Sequence, residues 1–153
     1  MNKIFAKASE IPVAVDCPIR NIAPHLDFEE AFTRTLPVLD PSLSPADLIE
    51  KMKRETPSFF LIGLQLRDLC LVPFGFSPVT WDHFEWTDID SDTRIGEFKD
   101  KPFTAYIGLS IKRPQKAVIL SCGVVFHNSR GQCYMSLIKP LHKRVFKFLL
   151  NKL

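Results

Sequence analysis

From Phe103 to Ile111 the chain alternates. Phe103, Ala105, Ile107, Leu109 and Ile111 are apolar, and Thr104, Tyr106, Gly108 and Ser110 stand between them. Period two over this length predicts a strand with one buried face. Arg113-Pro114-Gln115 marks a turn, and residues 116–127 form a nearly continuous apolar, β-rich run, hence a second strand. Asn128-Ser129-Arg130-Gly131 suits a hairpin turn, with Gly supplying a positive φ, so residues 132–138 are expected to return as a strand. Pairing His127 with Gln132 sets Phe126 opposite Cys133, Val124 opposite Met135 and Cys122 opposite Leu137. All of these residues are apolar and share one face, which is expected to be buried. A last helix over about 141–152 places Lys143, Arg144, Lys147 and Asn151 on one stripe, with Leu141, Val145, Phe148 and Leu149 on the other side.

The preceding chain carries clearer punctuation. Residues 1–26 read as irregular, with Pro12, Pro18 and Pro24 in them and Val13 and Val15 as a short edge strand. Residues 28–36 admit helix or strand; Thr33, Thr35 and Pro37 favour strand. Ser44-Pro45-Ala46-Asp47 starts a helix that runs to about Glu55, with Ser44 as N-cap, Pro45 in the first turn and Asp47 near the positive end of the dipole. Thr56 and Pro57 open a second helix, roughly 57–70, whose apolar residues cover most of its circumference and predict burial. Arg67 and Asp68 are adjacent in it, so each is expected to need its own partner or solvent. Residues 75–92 read as a loop or ragged strand, and a strand pattern resumes at Thr93. The order predicts an α+β domain over residues 1–153: a curved antiparallel sheet grips a long C-terminal helix, two helices follow the first strand, and residues 1–21 form an irregular arm.

Composition changes this picture little. A chain of 153 residues is long enough for a substantial core, and thirteen Phe are available to fill it. The net charge of +3 is too small to imply nucleic-acid binding. Its distribution is uneven, because residues 101–153 hold half of the twenty cations and none of the seventeen acids. The four cysteines show no C-x-x-C spacing, and Cys122 and Cys133 lie too far apart on the expected hairpin for a disulfide. The first ten residues contain no apolar stretch of signal-peptide length, and runs such as Phe59 to Leu64 fall short of the roughly 20 residues of a membrane span. A cytoplasmic protein with reduced thiols, no membrane span and no nucleic-acid partner is expected.

Candidate chemistry is sparse. His127 and Asn128 stand at a strand end, either as a polar site or as a solvated turn. His142, in the first turn of the expected last helix, could join helix to sheet through a hydrogen bond to Tyr134. Asp88, Asp90 and Asp92 open like a calcium loop, but Thr93 and Lys99 occupy the places that need Gly and Glu, so a solvated acidic loop is expected. Trp81, Phe84 and Trp86 fit either a cavity entrance or the core. Cys122 and His127 fall on opposite strand faces, so no metal site is expected, and no glycine-rich phosphate loop occurs.

Leu26-Asp27-Phe28-Glu29-Glu30-Ala31-Phe32, Leu66-Arg67-Asp68, Phe74-Gly75-Phe76, His127-Asn128-x-x-Gly131-x-x-Tyr134 and Lys139-Pro140-Leu141-His142 together resemble the bacterial family catalogued as domain of unknown function 2867. The resemblance spans roughly residues 22–150, is most specific in its last two segments, and is weak over Trp81 to Asp100. It implies a START-like, helix-grip fold enclosing an apolar cavity, and implies no reaction or cofactor. The expected function is binding of a small apolar molecule between sheet and C-terminal helix, lined by Phe103, Ile107, Val124, Phe126, Met135, Val145 and Phe148. The alternatives are an enzyme using His127, Tyr134 or His142 as acid–base groups, and an interaction module docking through the basic helix stripe or the Trp81–Trp86 segment.

Overall fold

The computed structural model describes residues 7–153. Residues 1–6 of the expected arm lie outside the described residues. The strands are β1 (Ser9–Ile11), β2 (Phe28–Thr35), β3 (Glu85–Asp90), β4 (Thr93–Lys99), β5 (Phe103–Lys112) and β6 (Ala117–Phe126). The helices are α1 (Pro18–Ile22), α2 (Pro45–Glu55), α3 (Ser58–Leu71) and α4 (Ser129–Asn151), with single 3₁₀ turns at Val72–Phe74 and Trp81–His83. The strands make one antiparallel sheet in the order β1-β2-β6-β5-β4-β3. The fold is α+β, with the long C-terminal helix against the sheet and two helices following the early strands, as the residue pattern predicts.

Both sheet faces are covered, by different parts of the chain. On one, Phe32, Leu109, Val118 and Leu120 pack with Leu48, Ile49 and Met52 of α2 and Val145, Phe146, Leu149 and Leu150 of α4. On the other, Cys17, Ile19 and Ala23 from the α1 region pack with Ile95 and Tyr106. The predicted arm is therefore partly structural. The edge strand lies at Ser9–Ile11, not at Val13 and Val15; Pro12, with no N–H to donate, stops the ladder, and Val15 is exposed.

The expected return strand over 132–138 does not form. Residues 129–151 are one helix, so the pairing of β6 with that segment is replaced by β6 pairing with β2 and β5. Asn128 decides the local structure. Its side-chain oxygen accepts from the amides of Arg130 and Gly131 and caps the helix. Gly131 serves close approach and not a left-handed turn: a Cβ there would stand 2.2 Å from the Pro102 carbonyl oxygen. Pro140, expected near a helix start, sits inside α4 on its exposed side.

α2 begins as predicted. The Ser44 side chain accepts from the Asp47 amide while the Asp47 carboxylate accepts from the Ser44 amide and hydroxyl, which holds the Asp47 carboxyl below its ordinary range. Ser44→Ala should cost about 1 kcal/mol, read as a lower denaturation midpoint at unchanged m. α3 departs from expectation. Pro57, not Thr56, is its N-cap, and none of its residues is fully buried. Phe59 and Leu69 are 69% and 74% exposed, and Ile62 and Leu66 also face outward. α2 and α4 already cover the sheet beneath, so α3 stands off across a cavity.

Candidate functional site

Strand register builds the floor of that cavity. β6 lies between β2 and β5, with Glu30 directly opposite Cys122 on one side and Ile107 opposite Cys122 on the other. The cavity measures about 270 Å3. Phe103, Ile107, Cys122 and Val124 form its floor. α4 contributes Tyr134, Met135, Ile138, Leu141, His142 and Val145, which recur at helical spacing on one stripe. Phe60, Gly63, Leu64 and Arg67 of α3 form the opposite wall.

Trp81 and Phe84 close one side. The Trp81 indole N–H donates to Thr56 Oγ1 at 3.0 Å, and its ring stacks on Trp86 at 6.5 Å between centroids. Trp86 in turn lies flat over Gly96, where a Cβ would come within 2.9 Å of the indole. Trp81 and Phe84 are thus half-buried wall, with Trp86, also half-buried, packed behind them.

Of the residues expected to line a cavity, Phe103, Ile107, Val124, Met135 and Val145 do so. Phe126 sits at the end of β6 beside the Asp27 contact, and Phe148 falls off the inner stripe of α4 and is part-exposed under the Lys152 ammonium. The structure brings Tyr134 and His142 into the cavity and leaves His127 out. His127 is exposed and shares a 2.8 Å hydrogen bond with Thr104 Oγ1 on the sheet face turned toward α1. The expected Tyr134–His142 bond is absent, because both residues belong to α4 and each meets a different neighbour.

Tyr134 meets Arg67. The guanidinium Nε donates to the phenol oxygen at 3.0 Å, Nη1 donates to Asp68 Oδ1 and to the Ser77 carbonyl, and the group lies over the Phe76 and Tyr134 rings. Arg67 and Asp68, expected to find separate partners, bond to each other. Burial works against the Arg67 charge, but Tyr134 and Asp68 outweigh it and hold its pKa above the ordinary value. Its Nη2 is buried with no hydrogen-bond partner.

His142 meets the sheet. Its Nδ1 pairs with Glu30 Oε1, and its Nε2 lies 3.7 Å from Cys122 Sγ. Its ring meets Phe146 edge-on at 4.1 Å. Glu30 is 3% exposed, and its second oxygen, Oε2, has no hydrogen-bond partner. Burial, reinforced by the Glu30 carboxylate, pushes the Cys122 thiol well above its ordinary range. Sequence reasoning passed over Glu30, although one signal was present: it alternates onto the same strand face as Phe28 and Phe32.

The carboxylates that resembled a calcium loop are engaged by the protein. Asp90 accepts from the Asp92 amide in the β3–β4 turn, Arg113 pairs with Asp92, and Arg94 pairs with Asp88. Among the described residues no single helix is long and apolar enough to cross a membrane. No protein-family model, curated protein or solved structure matches this chain.

Proposed function

We propose that this protein binds a small, largely apolar molecule with an acidic head in the cavity between sheet, α3 and α4. One observation carries this reading: the apolar cavity contains a buried guanidinium with a donor unspent, Arg67 Nη2. Binding sites of this type combine apolar walls with a few oriented polar groups. The acidic head would satisfy Nη2, and the chain of the ligand would lie over Ile107, Val124, Met135 and Val145. A cavity of about 270 Å3 lies near the low end of small-molecule pockets, so a compact ligand fits the reading better than a large one. The START-like resemblance implies the same kind of guest.

Trp81 borders the site and stacks on Trp86, and this pair provides the signal. Titration with a medium-chain fatty acid should change their emission with saturable, one-to-one binding. The matching alcohol should bind roughly ten- to a hundredfold more weakly, the size of one charged hydrogen bond. Arg67→Met should abolish this preference while alcohol binding persists. Equal affinity for acid and alcohol would remove the head-group assignment, and no saturable change with either would remove the cavity reading.

A further inference from the structure

Glu30, Cys122 and His142 come from β2, β6 and α4, and the fold delivers them to one point. One ligand atom from each, a carboxylate oxygen, Sγ and a ring nitrogen, lies within 4.8 Å of the others. Cys122 and His142 border the cavity. A simple structural account makes Glu30 and His142 a buried polar pair that pins α4 to the sheet. That account leaves two things unexplained. Glu30 Oε2 is buried without any partner, and His142 Nε2 faces only a thiol sulfur, a weak acceptor. A buried carboxylate oxygen left unsatisfied is costly, and three donors of metal-ligating type around one point have a common use.

We propose that Glu30, Cys122 and His142 form a binding site for a divalent transition metal of the zinc class, with its fourth coordination position open to the cavity. The mixed oxygen, sulfur and nitrogen set is of the type such ions accept, and three protein ligands plus one free position is the pattern of reactive, not structural, sites. Zinc bond lengths of about 2.0–2.3 Å set tetrahedral ligand atoms roughly 3.3–3.6 Å apart. The 3.7 Å Sγ–Nε2 spacing is already of that order. With Nε2 as the histidine ligand, binding requires the Glu30 carboxylate to turn from Nδ1 so that one of its oxygens reaches an ion held between Cys122 Sγ and His142 Nε2. The thiol proton leaves to solvent as Cys122 becomes a thiolate ligand, because a bound cation reverses the effect of burial on that group. The ion would give the orphaned carboxylate a partner and place a Lewis acid at the cavity floor. The proposal does not depend on the fatty-acid reading, since the site is complete without a guest.

Cobalt(II) tests it directly. The metal-free protein should bind one ion and develop a near-ultraviolet thiolate-to-cobalt charge-transfer band, which zinc then removes. Cys122→Ser should lose that band, whereas Cys70→Ser and Cys133→Ser, at exposed thiols, should keep it. Glu30→Gln should weaken binding by tenfold or more. A folded wild-type protein without the band overturns the proposal, and so does a band that survives in Cys122→Ser. Should Cys122→Ser fail to fold, zinc-edge X-ray absorption on the wild-type protein decides. One sulfur near 2.3 Å with nitrogen and oxygen near 2.0–2.1 Å supports the site, and a shell lacking sulfur or holding several overturns it. Cobalt titration without fatty acid and fatty-acid titration without metal fail independently.

Discussion

His142→Leu is expected to destabilise the metal-free protein by roughly 3–5 kcal/mol, because it strands the Glu30 carboxylate in the core. Glu30 is 3% exposed, its neighbours on the sheet are Cys122 and Phe32, and His142 supplies its only hydrogen bond among the described residues. Removing the carboxylate as well should reverse most of the loss. The double variant Glu30→Leu/His142→Leu is expected to fall near wild type or above it, since apolar residues of similar volume often replace a buried polar pair without penalty. Urea denaturation of the wild type, both single variants and the double variant gives the coupling between the two sites. A His142→Leu variant within about 1 kcal/mol of wild type would show that Glu30 finds solvent or another partner, and the picture of a buried pair would fail.

Phe32→Ala should cost a similar amount, about 3–5 kcal/mol, through an unrelated cause. Phe32 is fully buried at the centre of the core shared by the sheet, α2 and α4, with its ring 6.2 Å from that of Phe146. Truncation removes apolar surface and leaves a void that three elements would have to collapse together to fill. Phe32→Leu, which keeps most of the volume, should cost less than about 1.5 kcal/mol. Phe32 does not border the ligand cavity, so fatty-acid affinity should survive in any variant that remains folded. Equal denaturation midpoints for the two variants would show that volume is not what this position contributes.

The two effects also mark what a sequence can and cannot disclose. The strand that carries Phe32 was legible, because Thr33, Thr35 and Pro37 favour one, but nothing in the residues alone marked Phe32 as its most buried member. The α2 start at Ser44 was equally plain, since its cap, proline and acid all act within four residues. The α+β class followed from element order. The stretch after His127 misled, because Asn-x-x-Gly serves a hairpin turn and a helix N-cap equally well, and Cys133-Tyr134-Met135 favours a strand locally. Only tertiary contact settles it: the seat for Gly131 against the Pro102 carbonyl exists once β5 is in place. The exposure of α3 was hidden for a related reason. A uniformly apolar helix reads as buried, and nothing local records that its neighbours had already filled the sheet. The Glu30–Cys122–His142 cluster lay deepest. Its first two members are cross-strand neighbours only in a register set by residues 92 positions apart, and its third needed α4 to begin twelve residues earlier than its amphipathic end suggests.

The outer strands carry a further consequence. β1 offers only three residues to any incoming backbone, and proline follows at once. At the opposite border, β3 has an irregular register between Asp88 and Asp90 and displays Glu85, Asp88 and Asp90 in solvent. Charge and a local kink at an open border are how sheet proteins discourage copies of themselves from zipping together. The acidic run that imitates an ion-binding loop thus protects against polymerisation, a safeguard of special use to a molecule that already shows so much of α3 to water.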